Sequence, residues 1–217
     1  MPIEKTALDS WFVRRMMKLT RFERWFMNSP QRARQAEQAA LALFAHINLP
    51  PQPRCLEIGC GQGAVTRLLV ERFGAQAVAT DFDPEQVAVA QKRLADLGER
   101  VEFRVVDARA MPFDHAQFDG VFSFGVLHHI LGGWRQAIAE TARVLKPGGW
   151  FVFTDMVLPP RTGCMVRRLL PRLDQLEETA LHACLAENSL HLEHYEGGRR
   201  GILAVLMGHC AAVARRV

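Results

Sequence analysis

A buried-strand pattern that runs directly into three alternate glycines and then a helix leaves few folds open to this chain. Residues Arg54 to Ile58 form a short apolar run interrupted by one carboxylate, Glu57. Gly59, Gly61 and Gly63 follow, and Ala64 to Phe73 then places Val65, Leu68, Leu69 and Phe73 on one helical face. A strand that turns into a helix through glycines leaves backbone N–H groups and the positive end of a helix facing a crevice. Without Cβ atoms at the turn, a ligand can lie directly on the main chain. The pattern predicts a nucleotide-like site, and it does not by itself select the nucleotide. Gly59-x-Gly61-x-x-Ala64 also satisfies the dinucleotide fingerprint.

The rhythm continues on both sides of that turn. Strand patterns at 54–58, 76–80, 101–106, 118–124 and 149–156 alternate with helical patterns at 63–73, 84–97 and 134–145. Such alternation implies right-handed crossovers and a parallel sheet covered on both faces. Pro84 at a first turn and Gly98 after the last support the helix at 84–97, and Lys146-Pro147-Gly148-Gly149 reads as a stop and a turn into the fifth strand. Beyond Pro160 the expectation is a helix over 173–188 and strands near 191–196 and 209–215, with 202–207 open between strand and helix. Two late strands without a long helix between them predict an antiparallel pair at the sheet edge. Upstream, Gln31 to Ile47 reads as an Ala-rich helix capped by Ser29 with Pro30 in its first turn. Residues 1–50 are expected to form an N-terminal helical extension or lid, and 51–217 the ligand-binding domain.

Three carboxylates at strand ends carry the chemistry. Asp81 closes the second strand, eighteen residues after Gly63, where a carboxylate can accept both hydroxyls of a ribose. Nicotinamide and adenosyl cofactors share that feature; Asp83, before Pro84, reads as a helix cap. Asp107 closes the third strand, where an acceptor can take the exocyclic amine of an adenine between apolar residues such as Met111 and Phe82. Glu57 is the unusual one. Burying it unpaired is costly, so it calls for a cation, and the ammonium of an amino-acid ligand supplies one where a dinucleotide does not.

Taken together, C-L-E-I-G-C-G-Q-G, V-A-T-D-F-D-P, V-V-D-A-R-A-M-P-F, F-D-G-V-F-S-F-G-V-L-H-H and R-V-L-K-P-G-G resemble the class I S-adenosylmethionine-dependent methyltransferases, in their small-molecule and lipid-modifying branch. The resemblance covers residues 54–156 and implies an α/β, doubly wound, mostly parallel seven-stranded Rossmann-like sheet with a reversed last strand. It implies S-adenosyl-L-methionine as cofactor and S-adenosyl-L-homocysteine as product. By position it puts Gly59, Cys60, Gly61 and Gly63 beside the methionine and ribose, Glu57 at the amino group, and Asp81 at the ribose hydroxyls. Phe82 then packs on the adenine that Asp107 and Ala108 hold, while Ser123, Phe124 and Gly125 face the sulfonium and the acceptor. The N/D-P-P-Y/F block of enzymes that methylate base or amide nitrogens is absent, Ser123-Phe124-Gly125-Val126 standing in its place. His128 or His129, at the same strand end, is a candidate general base because imidazole titrates near neutrality. The plainer reading is that one packs and one is exposed. On a helix the two would diverge by about 100° and make no two-ligand metal site, so no metal is expected.

Charge and composition narrow the partners. The net charge of +4 is uneven: residues 1–34 carry eight Lys or Arg against three acids, and the rest is nearly neutral. A nucleic-acid enzyme more often carries basic surface around its site, so a small-molecule or lipid acceptor is the expectation. The five cysteines (55, 60, 164, 184 and 210) are odd in number and contain no C-x-x-C pair, which reads as reduced thiols in a cytoplasm. No cleavable leader pattern is seen. Segment 7–27, with Trp11, Phe12, Phe22 and Phe26 on one stripe and basic flanks, fits a lid over the crevice or a helix lying on an anionic membrane surface. Arg161, Arg167, Arg168 and Arg172 are expected on another pocket wall, and His191 and His194 at the surface. Three rival readings stand beside the methyltransferase: a nicotinamide-dependent oxidoreductase, a non-catalytic adenosylmethionine-binding module, and an RNA or protein methyltransferase.

Overall fold

The computed structural model describes residues 29–130, 132–158, 176–198 and 208–217. Seven strands form one sheet: β1 Arg54–Ile58, β2 Gln76–Asp81, β3 Val101–Val105, β4 Phe118–Phe124, β5 Leu145–Val157, β6 Leu190–Gly198 and β7 Gly208–Arg216. Their order is β3-β2-β1-β4-β5-β7-β6. The pairs β1–β2, β1–β4, β2–β3 and β4–β5 are parallel, and β7 runs antiparallel to both neighbours. The expected doubly wound sheet with a reversed last strand is what forms, with that strand inserted between β5 and β6. Strand order reverses between β1 and β4. The crevice beyond the carboxyl ends of such strands is where open α/β sheets bind ligands.

Among the described residues, five α-helices accompany the strands: α1 Pro30–Leu43, α2 Ala64–Phe73, α3 Pro84–Arg93, α4 Trp134–Val144 and α5 Glu178–Glu187. Ser29 caps α1 by accepting from the Arg32 N–H at 3.4 Å, and Asp83 caps α3 by accepting from the Glu85 N–H at 3.0 Å. Two-residue alternation along the strands sorts the core. Leu56, Ile58, Val121, Phe151 and Phe153 pack with Trp134, Ile138, Leu181 and Leu185 on the α4/α5 face. Cys55, Phe122, Val152 and Val213 pack with Val65, Leu69, Ala40, Leu43 and Phe44 on the α1/α2 face. The four phenylalanines at 118, 122, 151 and 153 are wholly buried, each worth about 2–3 kcal/mol by area transferred from water. Glu57 shares the α1/α2 face, which fixes where the site opens.

Boundaries differ from expectation where backbone conformation intervenes. The helix expected over 84–97 stops at Arg93, and a 3-10 segment, Ala95–Arg100, carries the chain to β3 with Gly98 at φ +57°. The fifth strand starts at Leu145, before the Pro-Gly-Gly turn, pairing with Phe118 and then slipping register to match Trp150 with Gly120. The last helix begins at Glu178, because Glu177 is in a bridge with Leu158. Segment 7–27, the arginines at 161–172, Cys164 and the ambiguous 202–207 lie outside the described residues.

Candidate active site

The site grows from the end of β1. Gly59, Gly61 and Gly63 all have positive φ, at +68°, +51° and +81°. A Cβ on Gly59 would lie 2.4 Å from Val126 Cγ2, so the turn packs directly on the segment that follows β4. At Gly61 a Cβ would meet nothing within 4 Å. There the glycine bounds open space, and the main chain itself forms the floor of the crevice. The turn is held from below: the Cys60 N–H donates to the Thr80 carbonyl at 2.8 Å, and the Thr80 hydroxyl to the Glu57 carbonyl at 2.7 Å. The Cys60 thiol is buried and pushed well up by that burial, so it packs and does not react.

Glu57 is 3% exposed, and its carboxylate accepts a hydrogen bond from the hydroxyl of Thr66 on α2. Burial raises its pKa from the ordinary 4.5 to about 8; Thr66 opposes this, and the charge of Asp81 adds to it. No lysine, arginine or histidine forms an ion pair with it among the described residues. Asp81, at the end of β2, accepts from the Gly61 N–H at 3.1 Å and the Asp83 N–H at 2.9 Å. Its pKa is also raised by burial, against those two donors. Two acidic groups therefore flank the glycine turn with no ion-pair partner among the described residues.

Asp107 follows β3 and is gripped by its own neighbour. Arg109 donates Nε and Nη2 to the carboxylate at 2.9 and 2.7 Å, and the Arg109 backbone N–H donates to it at 3.0 Å. The pairing raises the guanidinium pKa further. Arg109 Nε also reaches the second carboxylate oxygen, at 3.2 Å, so both oxygens are engaged by this arginine. Ala108 is buried in the core with Val106, Met111 and Phe113. Ser123 is fully buried on the α4/α5 side of β4, and its Oγ has no partner among the described residues. Phe124, one residue on, faces the opposite side.

A cavity of about 750 Å³ brings Glu57, Gly59, Cys60, Gly61, Phe124, Gly125 and His128 together. Gly63, Asp81, Phe82, Asp107, Ala108 and Ser123 do not line it: Asp81 to Ala108 follow β2 and β3 on the far side of the glycine turn, and strand alternation turns Ser123 away. Beyond Phe124 the cavity extends to α1, through Ala36, Ala39 and Leu43, and to the β6–β7 edge, through His194 and His209. The helix expected as part of an extension thus packs on the sheet and walls the crevice.

Four features escaped sequence reasoning. Asp155, fully buried in β5, accepts from the backbone N–H groups of Leu127 at 2.7 Å, Met156 at 2.8 Å and His128 at 3.3 Å. The fourth contact is His128 Nδ1, 2.6 Å from Asp155 Oδ1. The signal was present, since Asp155 repeats Glu57's pattern of a carboxylate in an otherwise apolar buried strand. Thr66 carried no comparable signal. His128 and His129 lie in a 3-10 turn, and their rings sit 3.9 Å apart between centroids. Finally, His194, expected at the surface, lines the cavity and stacks on His46 of the segment after α1 at 3.7 Å. A β-bulge between Leu192 and His194 turns that side chain inward.

A sheet in this order with one reversed strand, a glycine turn after β1 and acidic residues within β1, at the end of β2 and just after β3 are the features of the class I S-adenosylmethionine-dependent methyltransferase domain. Comparison with known proteins agrees: residues 56–153 match the family profile described as a methyltransferase domain. Residues 56–153 carry a methyltransferase domain. Over 110 residues it is 36% identical to a demethylmenaquinone methyltransferase of Thermus thermophilus, a stretch covering 50% of this chain and 49% of that protein. The chain spans half or less of the length of the first curated relatives it matches. Among solved structures, a Streptomyces coelicolor geranyl diphosphate C-methyltransferase, bound to Mg2+, geranyl diphosphate and S-adenosyl-L-homocysteine, superposes with a TM-score of 0.71 at 16% identity, covering 85% of this chain and 80% of that one. The [4+2]-cyclase SpnF superposes with a TM-score of 0.70 at 22% identity, covering 83% and 80%. At such identities the likeness is one of fold.

Proposed function

We propose that the protein is a methyltransferase that uses S-adenosylmethionine to methylate a small-molecule or lipid-like acceptor. The observation that carries this reading is Glu57, a buried carboxyl at the glycine turn with no cationic partner among the described residues. A ligand bearing an ammonium group removes the cost of ionising it; a pyrophosphate-bridged dinucleotide brings only further negative charge beside Glu57 and Asp81. S-adenosylmethionine, when bound, supplies an electrophilic methyl group on a sulfonium, whose bonding pair remains on sulfur.

The residues divide the binding work. Glu57 holds the amino group, the main chain at Gly59, Cys60, Gly61 and Gly63 lies along the methionine and ribose, and Asp81 takes the ribose hydroxyls. Phe82 covers the adenine, and Asp107 with Ala108 bounds its edge. Phe124 and His128 face the acceptor across the cavity. Residues 51–217 form the methyltransferase domain, with residues 1–50 as its extension, of which α1 walls the acceptor side. The relative's printed name, a demethylmenaquinone methyltransferase, supports a ring-bearing apolar acceptor, as do the alanines of α1 in the cavity wall. Contact of segment 7–27 with a membrane surface fits the same acceptor class. No helix among the described residues is long and apolar enough to cross a membrane.

Isothermal titration with S-adenosylhomocysteine tests the cofactor half. Micromolar or tighter binding is expected, weakened at least tenfold (about 1.4 kcal/mol) by Asp81→Ala. Failure of the purified, ligand-free protein to bind it sinks the reading.

A further inference from the structure

We propose that Arg109 competes with the cofactor's base: its guanidinium occupies the Asp107 carboxylate that the adenine amine would use, and cofactor entry exchanges one donor for the other. The inference rests on the methyltransferase reading and adds to it the residue that sets affinity and selectivity for the base. A carboxylate offers about four lone-pair sites. At Asp107 they are all engaged. Oδ1 accepts from the Arg109 backbone N–H at 3.0 Å and from Nε at 2.9 Å, while Oδ2 accepts from Nη2 at 2.7 Å and from the same Nε at 3.2 Å. A ligand amine must therefore displace a donor already in place. The backbone N–H stays, because it belongs to the turn that the Ala110 N–H closes on the Asp107 carbonyl at 3.0 Å. The Arg109 side chain is the part that can leave. It is 23% exposed and the Asp107 side chain 26%, and an ion pair with that access to water exchanges at little cost.

The arm has its own seat. Its aliphatic stem crosses Gly133, the residue before α4, where a Cβ would lie 2.3 Å from Arg109 Cδ and 2.9 Å from Cγ. Gly133 has φ −148°, outside the left-handed region, so the arm rather than the backbone is what calls for glycine there. The fork spends Nε–H and one Nη2–H on the carboxylate and leaves three of the five guanidinium N–H groups directed elsewhere. With Arg109 in place the base site presents donors; with the arm withdrawn it presents the acceptors of Asp107. A 6-aminopurine matches the withdrawn state and a 6-oxopurine the occupied one. Arg109 thus lowers adenine affinity and blunts the choice between the two bases.

The test is isothermal titration of the full chain with S-adenosylhomocysteine and with S-inosylhomocysteine, which carries oxygen in place of the amine. Arg109→Ala removes the competitor. Gly133→Ala is the second variant: its methyl group pushes the arm off Asp107 and keeps the guanidinium in the chain. Both are expected to bind S-adenosylhomocysteine about fivefold tighter than the wild type and S-inosylhomocysteine no tighter, so the ratio of the two affinities widens by that factor. Nitrogen-15 arginine spectra of the wild type are expected to show the Arg109 Nε–H signal moving, on addition of S-adenosylhomocysteine, toward its position in ligand-free Gly133→Ala. Unchanged or weaker S-adenosylhomocysteine binding by Arg109→Ala, equal changes for the two ligands, or an Arg109 signal that stays in place on binding overturns the exchange. Absence of S-adenosylhomocysteine binding by the wild type and both variants overturns the underlying methyltransferase reading instead.

Discussion

Replacing Glu57 by glutamine should make the ligand-free protein more stable at neutral and alkaline pH while weakening its cofactor. Glu57 is 3% exposed, and burial lifts its pKa from an ordinary 4.5 to about 8. Between those values the folded protein holds a proton that the unfolded chain releases. Stability from this group is thus complete below about pH 4.5 and declines as pH rises, levelling off above about pH 8. The slope has a ceiling of about 1.4 kcal/mol per pH unit, or about 4 kcal/mol from pH 5 to pH 8. Relaxation and water entry reduce the real cost of buried charge, so we expect on the order of 2 kcal/mol. At about 2–4 °C per kcal/mol for a chain of this size, that is roughly 4–8 °C. Scanning calorimetry of both proteins from pH 5 to pH 8.5 should show wild-type melting temperatures falling relative to Glu57→Gln by that amount. S-adenosylhomocysteine, through its ammonium, should convert Glu57 to the carboxylate. Titration at pH 7 in buffers of different ionisation enthalpy should therefore report close to one proton released by the wild type and none from this group in the variant. Parallel melting curves together with buffer-independent binding enthalpies would refute the assignment of Glu57 as the ammonium partner.

Further outcomes follow from the same geometry. Gly61→Ala has room for its Cβ and should lose only about 1 kcal/mol of stability, from backbone strain, yet lower S-adenosylhomocysteine affinity more than tenfold, because the methyl group projects where the ligand lies. Gly59→Ala, with a contact of 2.4 Å to Val126, should cost on the order of 2–3 kcal/mol in chemical denaturation. Thr66→Val removes the donor that holds the Glu57 pKa down, so it should weaken S-adenosylhomocysteine about fivefold at pH 7, with most of the loss recovered by pH 9.

The sheet was legible because period and punctuation agree along residues 54–156. Apolar runs of strand length end in glycines or aspartates, and the first, second and fourth are followed by a helical stripe. Two-residue patterning also placed Glu57 in a strand, which is why its burial could be foreseen. What sequence did not show depends on irregular backbone. One extra residue between Leu192 and His194 reverses which side chains face the cavity, and no local pattern announces it. The imidazoles of His128 and His129 meet 3.9 Å apart in the 3-10 turn at 127–129, which no residue pattern announces. Arg109 closing on Asp107 reflects a two-residue loop conformation that also needs Gly133 bare, since a Cβ there would lie 2.3 Å from Arg109 Cδ. Asp155 was legible in the same way as Glu57, as a lone carboxylate in an apolar strand.

Fold alone does not decide between methyl transfer and another use of the cofactor, since a cyclase superposes as well as a methyltransferase does. Charge gives a sharper criterion. A sulfonium that loses its methyl group becomes neutral, and a hydroxyl acceptor sheds a proton in the same event. One unit of positive charge must therefore reappear somewhere in the site. Asp155 beneath His128 gives it a place, 2.6 Å from a buried carboxylate and on the cavity wall. A module that only held the cofactor would have no use for such a proton acceptor, whereas any acceptor that sheds a proton would. In Asp155→Asn, ligand binding and turnover should therefore part company: S-adenosylhomocysteine affinity within twofold of wild type, and methyl transfer reduced on the order of 100-fold. A variant that lost both in proportion would place Asp155 in the architecture of the β5 end and leave methyl transfer to alignment alone.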